Sequence, residues 1–216
     1  MKSKVVDKSI VKEVIKDGMH VLASGFLGGG TPKVIVDEII NNNIKDLTVY
    51  TIDASFPDNG IGPLVASGNI KTLVVSHIGK DPVAQDKMKD GSMEVKLLPM
   101  GTLVEAIRAG GCGLGGILTP TGVGTEVAKG RQIINIKGKD YILEEAIKGD
   151  VAIVQAYQAD HFGNCVLRGT RINSNEVMAL SGEKVIVAAE EIVDHLDPNL
   201  IKIPGVLVDY VIQEEM

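Results

Sequence analysis

The residues Ser24-Gly25-Phe26-Leu27-Gly28-Gly29-Gly30-Thr31-Pro32 carry the clearest chemical signal in the chain. Their four glycines let the backbone take positive φ and come close to a ligand or to another backbone. Met19 to Ala23 before them is an apolar run of strand length, and Thr31-Pro32 reads as an N-cap followed by proline at the first helical position. A strand, a glycine loop and a helix start in that order leave helix N–H groups aimed into the loop, where a phosphate or carboxylate can sit. The same residues also make a tight connection that binds nothing. The spacing is not G-x-G-x-x-G, because Lys33 stands where the third glycine belongs. No Gly-Lys-Ser/Thr occurs either, since Gly79-Lys80, Gly130-Arg131 and Gly138-Lys139 all continue otherwise.

Other reactive residue types are sparse. Cys112 and Cys165 have no Cys-x-x-Cys spacing, so neither a zinc knuckle nor a redox pair is expected. His161 lies near Cys165 in sequence, but no third orienting group accompanies them, and free structural thiols are the expectation. His20 falls inside a strand and reads as a packed or half-exposed neutral histidine. His77 ends the run Thr72 to Ser76, a strand exit of the kind that faces ligands in open α/β sheets. His195 sits in an acidic, exposed segment. No metal site is expected.

Positioning these residues falls to a chain of 216 residues, 44% of them hydrophobic and 3% aromatic, enough for one sizeable Val/Ile/Leu core. One domain over residues 1–216 is expected. A net charge of −6 and lysines scattered among acids leave no basic stripe for nucleic acid and disfavour anionic membranes. No apolar run reaches transmembrane length and Met1 to Asp7 lacks a signal-peptide core, so a cytoplasmic location is expected.

Helices and short strands alternate. Helices are expected over Ile10 to Lys16, with Ser9 as N-cap, from Pro32 to about Asn41, over Pro82 to Lys89, and over Thr102 to Ala109. Strands are expected over Leu47 to Ile52, Thr72 to Ser76 and Glu94 to Leu98, with Asp53 to Pro63 as a ligand-side loop. The alternation predicts an α/β fold, an open and mostly parallel sheet flanked by helices. It breaks at Gly110 to Gly116 and at the loop Thr119 to Thr125. Gln132 to Ile136 and Asp140 to Leu143 then read as a β-hairpin about Lys137-Gly138-Lys139. Val151 to Ala156, Val185 to Ala189 and Val206 to Ile212 read as late strands, and Asn173 to Leu180 as a helix. No internal repeat is evident.

The opening stretch resembles the signature of the family I coenzyme A transferases: an acidic-Gly pair, a strand, Gly-Gly-Phe, three residues, Gly and Pro. Asp17-Gly18, Gly25-Phe26 and Gly30-Thr31-Pro32 match it, and Ser24 replaces the first glycine. Pro99 to Gly111 with Thr119 to Thr125 resembles the middle of the family's alpha subunits. Gln158-Ala159-Asp160, Gly163-Asn164, and Glu190 to Val193 through Pro204-Gly205 resemble their last third. The resemblance covers essentially the whole chain and implies the open fold shared with sugar-phosphate isomerases.

It further implies transfer of coenzyme A from a short-chain acyl-CoA to a 3-oxoacid or short fatty acid, acetoacetate, acetate and butyrate among them. A glutamate on the partner beta subunit would attack the thioester and carry the coenzyme as a glutamyl-CoA thioester. The family's nucleophile stands in Ser-Glu-Asn-Gly, and no glutamate here precedes Asn-Gly. A beta subunit, in an α2β2 assembly, is therefore the implied partner, with coenzyme A or acyl-CoA as substrate and no permanently bound cofactor. Ser24, Gly25, Phe26, Leu27, Gly28, Gly29 and Gly30 are the implied coenzyme A segment. No catalytic residue is placed in this chain, beyond a contribution of Met100 and Gly101 to an oxyanion site.

Three departures accompany the match. Ser24 adds a hydroxyl where the family has bare backbone. Met100 stands where most relatives carry a glutamine whose amide serves the oxyanion. Ile172 and Ser174 stand where many have arginine and phenylalanine, an exposed or interface position being the favoured reading. Thr119 and Thr121 are candidates for an acyl pocket, or ordinary turn residues. A sugar-phosphate isomerase on the same fold and a non-catalytic stabilising subunit remain the alternatives.

Overall fold

Successive residues of a strand point to opposite faces, and in the central strands of this chain both sets are apolar, the pattern of a sheet buried between two helix layers. The structure, a computed structural model, describes residues 2–214. In chain order it runs α1 (Ile10–Val14), β1 (His20–Ala23), α2 (Lys33–Asn41), β2 (Leu47–Thr51), α3 (Gly62–Ser67), β3 (Ile70–Val75), α4 (Pro82–Asp90), β4 (Glu94–Leu97) and α5 (Met100–Gly111). There follow β5 (Gly116–Thr119), β6 (Ile133–Ile136), β7 (Lys139–Glu145), β8 (Gly149–Asp160), β9 (Cys165–Val166), α6 (Asn175–Ser181), β10 (Gly182–Val193) and β11 (Tyr210–Gln213).

The main sheet has the order β11-β10-β8-β1-β2-β3-β4, all parallel, with the short β9 antiparallel against β8. Val21 and Ala23 face one layer with Leu73, Val75, Ile153 and Ile186, covered by Ile35 and Ile39 of α2 and Leu64 of α3. Leu22, Val74, Val154 and Val187 face the other, covered by Leu103 and Ile107 of α5 and Met178 of α6. The expected α/β architecture is therefore observed. The hairpin about Lys137 and Gly138 is present as β6 and β7, and β5 joins it to make a small antiparallel sheet in the order β5-β7-β6.

The differences have local causes. α3 and β5, both short and glycine-bearing, are not among the expected elements. β8 and β10 run well past their apolar cores, paired from Gly182 and Gly149 to Val193 and Asp160. Their outer halves carry Gln158 and Glu191, whose side chains bond each other at 2.7 Å, so polar residues continue the ladder. The last strand begins at Tyr210 rather than Val206, because Pro204-Gly205 opens a 3-10 turn over Gly205–Leu207. The first helix ends two residues earlier than expected, at Val14, and Ser9 caps it without a side-chain bond.

Candidate active-site edge

The loops that leave β1, β2, β3 and β4 at their carboxyl ends converge on one edge, the side on which an open parallel sheet keeps its ligands. The loop after β1 is a tight turn: Phe26 and Gly29 exchange backbone bonds of 2.9 and 3.0 Å, and Thr31 Oγ1 donates to the Ser24 carbonyl at 2.9 Å. Thr31 thus closes the loop instead of capping the helix. Pro32 takes the cap position of α2 and has no side-chain cap bond.

The glycines are required by neighbours within the chain. Gly28, at φ 84°, has no room for a Cβ, which would stand 2.3 Å from the Asn59 side chain. A Cβ on Gly29 would stand 2.4 Å from Thr170 Oγ1. The loop after β2 makes the same turn at an offset of thirty residues, with Phe56 bridging Asn59 as Phe26 bridges Gly29. Gly60 is counterpart to Gly30, and a Cβ on it would touch Gly28 Cα at 2.8 Å. The sheet edge is therefore two stacked copies of one turn, a repeat hidden in the sequence because only Phe and the last Gly are shared.

Asp53, buried just beyond β2, joins three strand ends. Its Oδ2 accepts the Leu27 N–H at 2.8 Å and its Oδ1 lies 3.2 Å from His77 Nδ1. Asn175 Nδ2 donates to the Gly30 carbonyl at 3.1 Å, while its Oδ1 accepts the Gln155 N–H at 2.9 Å. The anion-binding helix start expected at Thr31 is already filled: Glu214 accepts the Lys33 and Val34 N–H groups at 3.1 and 2.9 Å. Asp81 does the same for α4, accepting from Val83 and Ala84, and burial pushes its carboxyl above the usual range against those bonds.

Of the implied coenzyme A segment, Ser24, Gly25 and Gly30 are buried and Leu27, at φ 50°, stands out into solvent. Ser24 Oγ lies 2.7 Å from Ser174 Oγ, both fully enclosed. Met100 and Gly101 open α5, with the Met100 side chain exposed. Gly101 and Thr102 share a cleft of about 460 Å³ with Leu118, Thr119 and Thr121, which brings two separately predicted segments together. A larger cavity of about 730 Å³ lies across one face of the sheet, between His20, Tyr50, Val74 and Lys96 on the strands and Arg131 and Glu144 at the small sheet. His20 Nδ1 meets the Tyr50 hydroxyl there at 3.1 Å. Ile172 is exposed. Buried Cys165 has its thiol pushed up to about 12 by desolvation and the nearby Asp160 charge, which removes it as a nucleophile. Among the described residues no cluster of His, Cys, Asp and Glu could hold a metal ion.

A parallel sheet with a glycine turn on Asp53 at its carboxyl edge defines an open α/β protein with a ligand-side loop edge. The chain belongs to the Coenzyme A transferase family, matched over residues 7–214. It is 42% identical over 216 residues to the acetoacetyl-CoA:acetate/butyrate CoA transferase alpha subunit of Clostridium acetobutylicum, covering 99% of each chain. It is 39% identical to the acetate CoA-transferase subunit alpha of Escherichia coli K12, covering 98% of this chain and 97% of that one. An acyl-CoA transferase of Escherichia coli O157:H7, solved as a thioester complex with CoA, shares the fold at a TM-score of 0.84 and 21% identity. There the match covers 99% of this chain and 50% of the other.

Proposed function

We propose that residues 1–216 act as one domain, the alpha half of a heteromeric CoA-transferase that moves coenzyme A between a short-chain acyl-CoA and a 3-oxoacid or short fatty acid. The partner's glutamate attacks the thioester carbonyl to give an acyl-glutamyl anhydride and CoA thiolate. The thiolate then attacks the glutamyl carbonyl, releasing the first acid and leaving a glutamyl-CoA thioester, and the acceptor carboxylate reverses both steps. This chain supplies the bed: the turn Ser24 to Gly30, held on Asp53 and Asn175. Among the described residues the Gly25, Gly28 and Gly30 N–H groups meet no acceptor, which leaves loop donors for an anionic ligand.

The observation that carries the reading is the edge itself. Leu27, Phe56 and Met100, at the ends of β1, β2 and β4, are 43%, 37% and 39% exposed, so apolar tips surround the candidate site and suit a covering partner. Two alpha and two beta chains is the assembly proposed, with coenzyme A as substrate and no resident cofactor. No described helix is long and apolar enough to cross a membrane; a cytoplasmic setting belongs to the same proposal. Reconstitution tests it: acetoacetyl-CoA and acetate should exchange coenzyme A only when the purified chain is mixed with its beta partner. Robust transfer by the purified chain alone would contradict it.

A further inference from the structure

The start of α5 is open. Pro99 stands at its cap with no side-chain cap bond, and the Met100, Gly101 and Thr102 N–H groups meet no acceptor among the described residues. Gly101 and Thr102 line the cleft of about 460 Å³ that they share with Thr119 and Thr121. Thr102 adds a signal independent of the helix start. The residue is only 5% exposed, yet its hydroxyl bonds to nothing among the described residues and is not sealed inside the protein, so its opening is the cleft. A hydroxyl withdrawn from bulk water without a partner is costly, and a ligand acceptor removes that cost. Across the cleft, Thr119 Oγ1 accepts the Thr121 N–H at 3.2 Å, which leaves its own proton free to donate. Pro99, Ile117 and Leu118 supply apolar wall. No Lys or Arg lines the cleft, whereas the Glu105 carboxylate does, held by Arg108 Nε at 3.2 Å.

We infer that this cleft takes the chain of a 3-oxoacyl substrate, with Thr102 Oγ1 donating a hydrogen bond to the 3-oxo oxygen, so that Thr102 selects 3-oxoacyl over plain acyl groups; the inference rests on the CoA-transferase reading above. Converging donors without a cation, beside a carboxylate, favour a neutral carbonyl oxygen over a phosphate or a second carboxylate, whose charge would face Glu105. The carbonyl dipole also meets the positive end of α5. Phosphate groups of coenzyme A have the Gly25, Gly28 and Gly30 N–H groups instead. A plain acyl chain fills the apolar wall but leaves the hydroxyl unpaired, and that difference is the source of the selection.

The test uses the complex of this chain with its beta partner, comparing wild type, Thr102→Val and Thr102→Ser with acetate as acceptor. Valine keeps the shape of threonine and removes the donor. Thr102→Val should lower kcat/KM for acetoacetyl-CoA about tenfold and that for butyryl-CoA less than about twofold. Thr102→Ser, which keeps the hydroxyl, should retain most of the preference for acetoacetyl-CoA. A binding measurement stands beside the rates: the ketone signal of [3-¹³C]acetoacetate should shift on mixing with the wild-type and Thr102→Ser complexes, and much less with Thr102→Val. Equal losses for both thioesters, unchanged rates, or a ketone signal that shifts alike with all three proteins would overturn the assignment. No transfer by the wild-type complex would remove the proposed function, and this assignment with it. An active complex whose preference is indifferent to Thr102→Val removes the assignment alone.

Discussion

Two residues that looked like unrelated departures from the family pattern, Ser24 and Ser174, are partners. Their hydroxyls meet at 2.7 Å beneath the glycine turn, 150 positions apart in sequence. Both side chains are buried, so neither hydroxyl has water as an alternative partner. Replacing either by Ala strands a buried hydroxyl and should cost about 1–3 kcal/mol, while the double replacement should cost clearly less than the sum; urea denaturation of the four proteins reads the coupling. Additive losses would mean that the bond contributes nothing. Thiol chemistry separates the cysteines: at pH 8 a group held near 12 is almost wholly protonated and unreactive, whereas Cys112 is exposed. One equivalent of iodoacetamide should be taken up by the folded chain, at Cys112, and a second only on unfolding. At position 100 the exposed methionine begins α5 beside the Thr119 and Thr121 cleft without a side-chain N–H. Met100→Gln should raise turnover of the assembled enzyme by up to about tenfold if an amide there stabilises the oxyanion, and an unchanged rate would place that work on the backbone.

At the scale of elements, the strand, turn and helix around Ser24 to Pro32 were legible because glycine spacing and apolar runs are local signals. What fills the helix start was not, since Glu214 is 180 positions from Val34 and nothing near either residue announces the other. A carboxylate on two N–H groups at a helix N-terminus gains both hydrogen bonds and the favourable dipole, so Glu214→Ala should destabilise the chain by about 2–3 kcal/mol. Glu214→Gln should cost less, because one oxygen still accepts. Equal stability of wild type and Glu214→Ala in a urea titration would show that the start of α2 is free for an outside anion after all. The outer halves of β8 and β10 were missed for a related reason. Their glutamine and glutamate residues look like loop, and only the partner strand shows them to be a ladder.

On the proposed function, the whole molecule presents half of a site. Alternating elements made the parallel sheet predictable, and the carboxyl edge follows from its direction, but the stacking of two like turns could not be read, because close approach of Gly28 and Gly60 is a tertiary fact. That stacked edge ends in exposed Leu27 and Phe56, with the oriented His77 beyond β3 and Met100 beyond β4, a surface suited to receive a second chain carrying the reacting carboxylate. The most direct measurement is the position of the covalent intermediate. After the assembled enzyme is mixed with acetoacetyl-CoA and quenched, intact-mass analysis of the separated chains should find coenzyme A on a glutamate of the beta partner and this chain unmodified. Coenzyme A in thioester linkage to a glutamate of this chain would contradict the account.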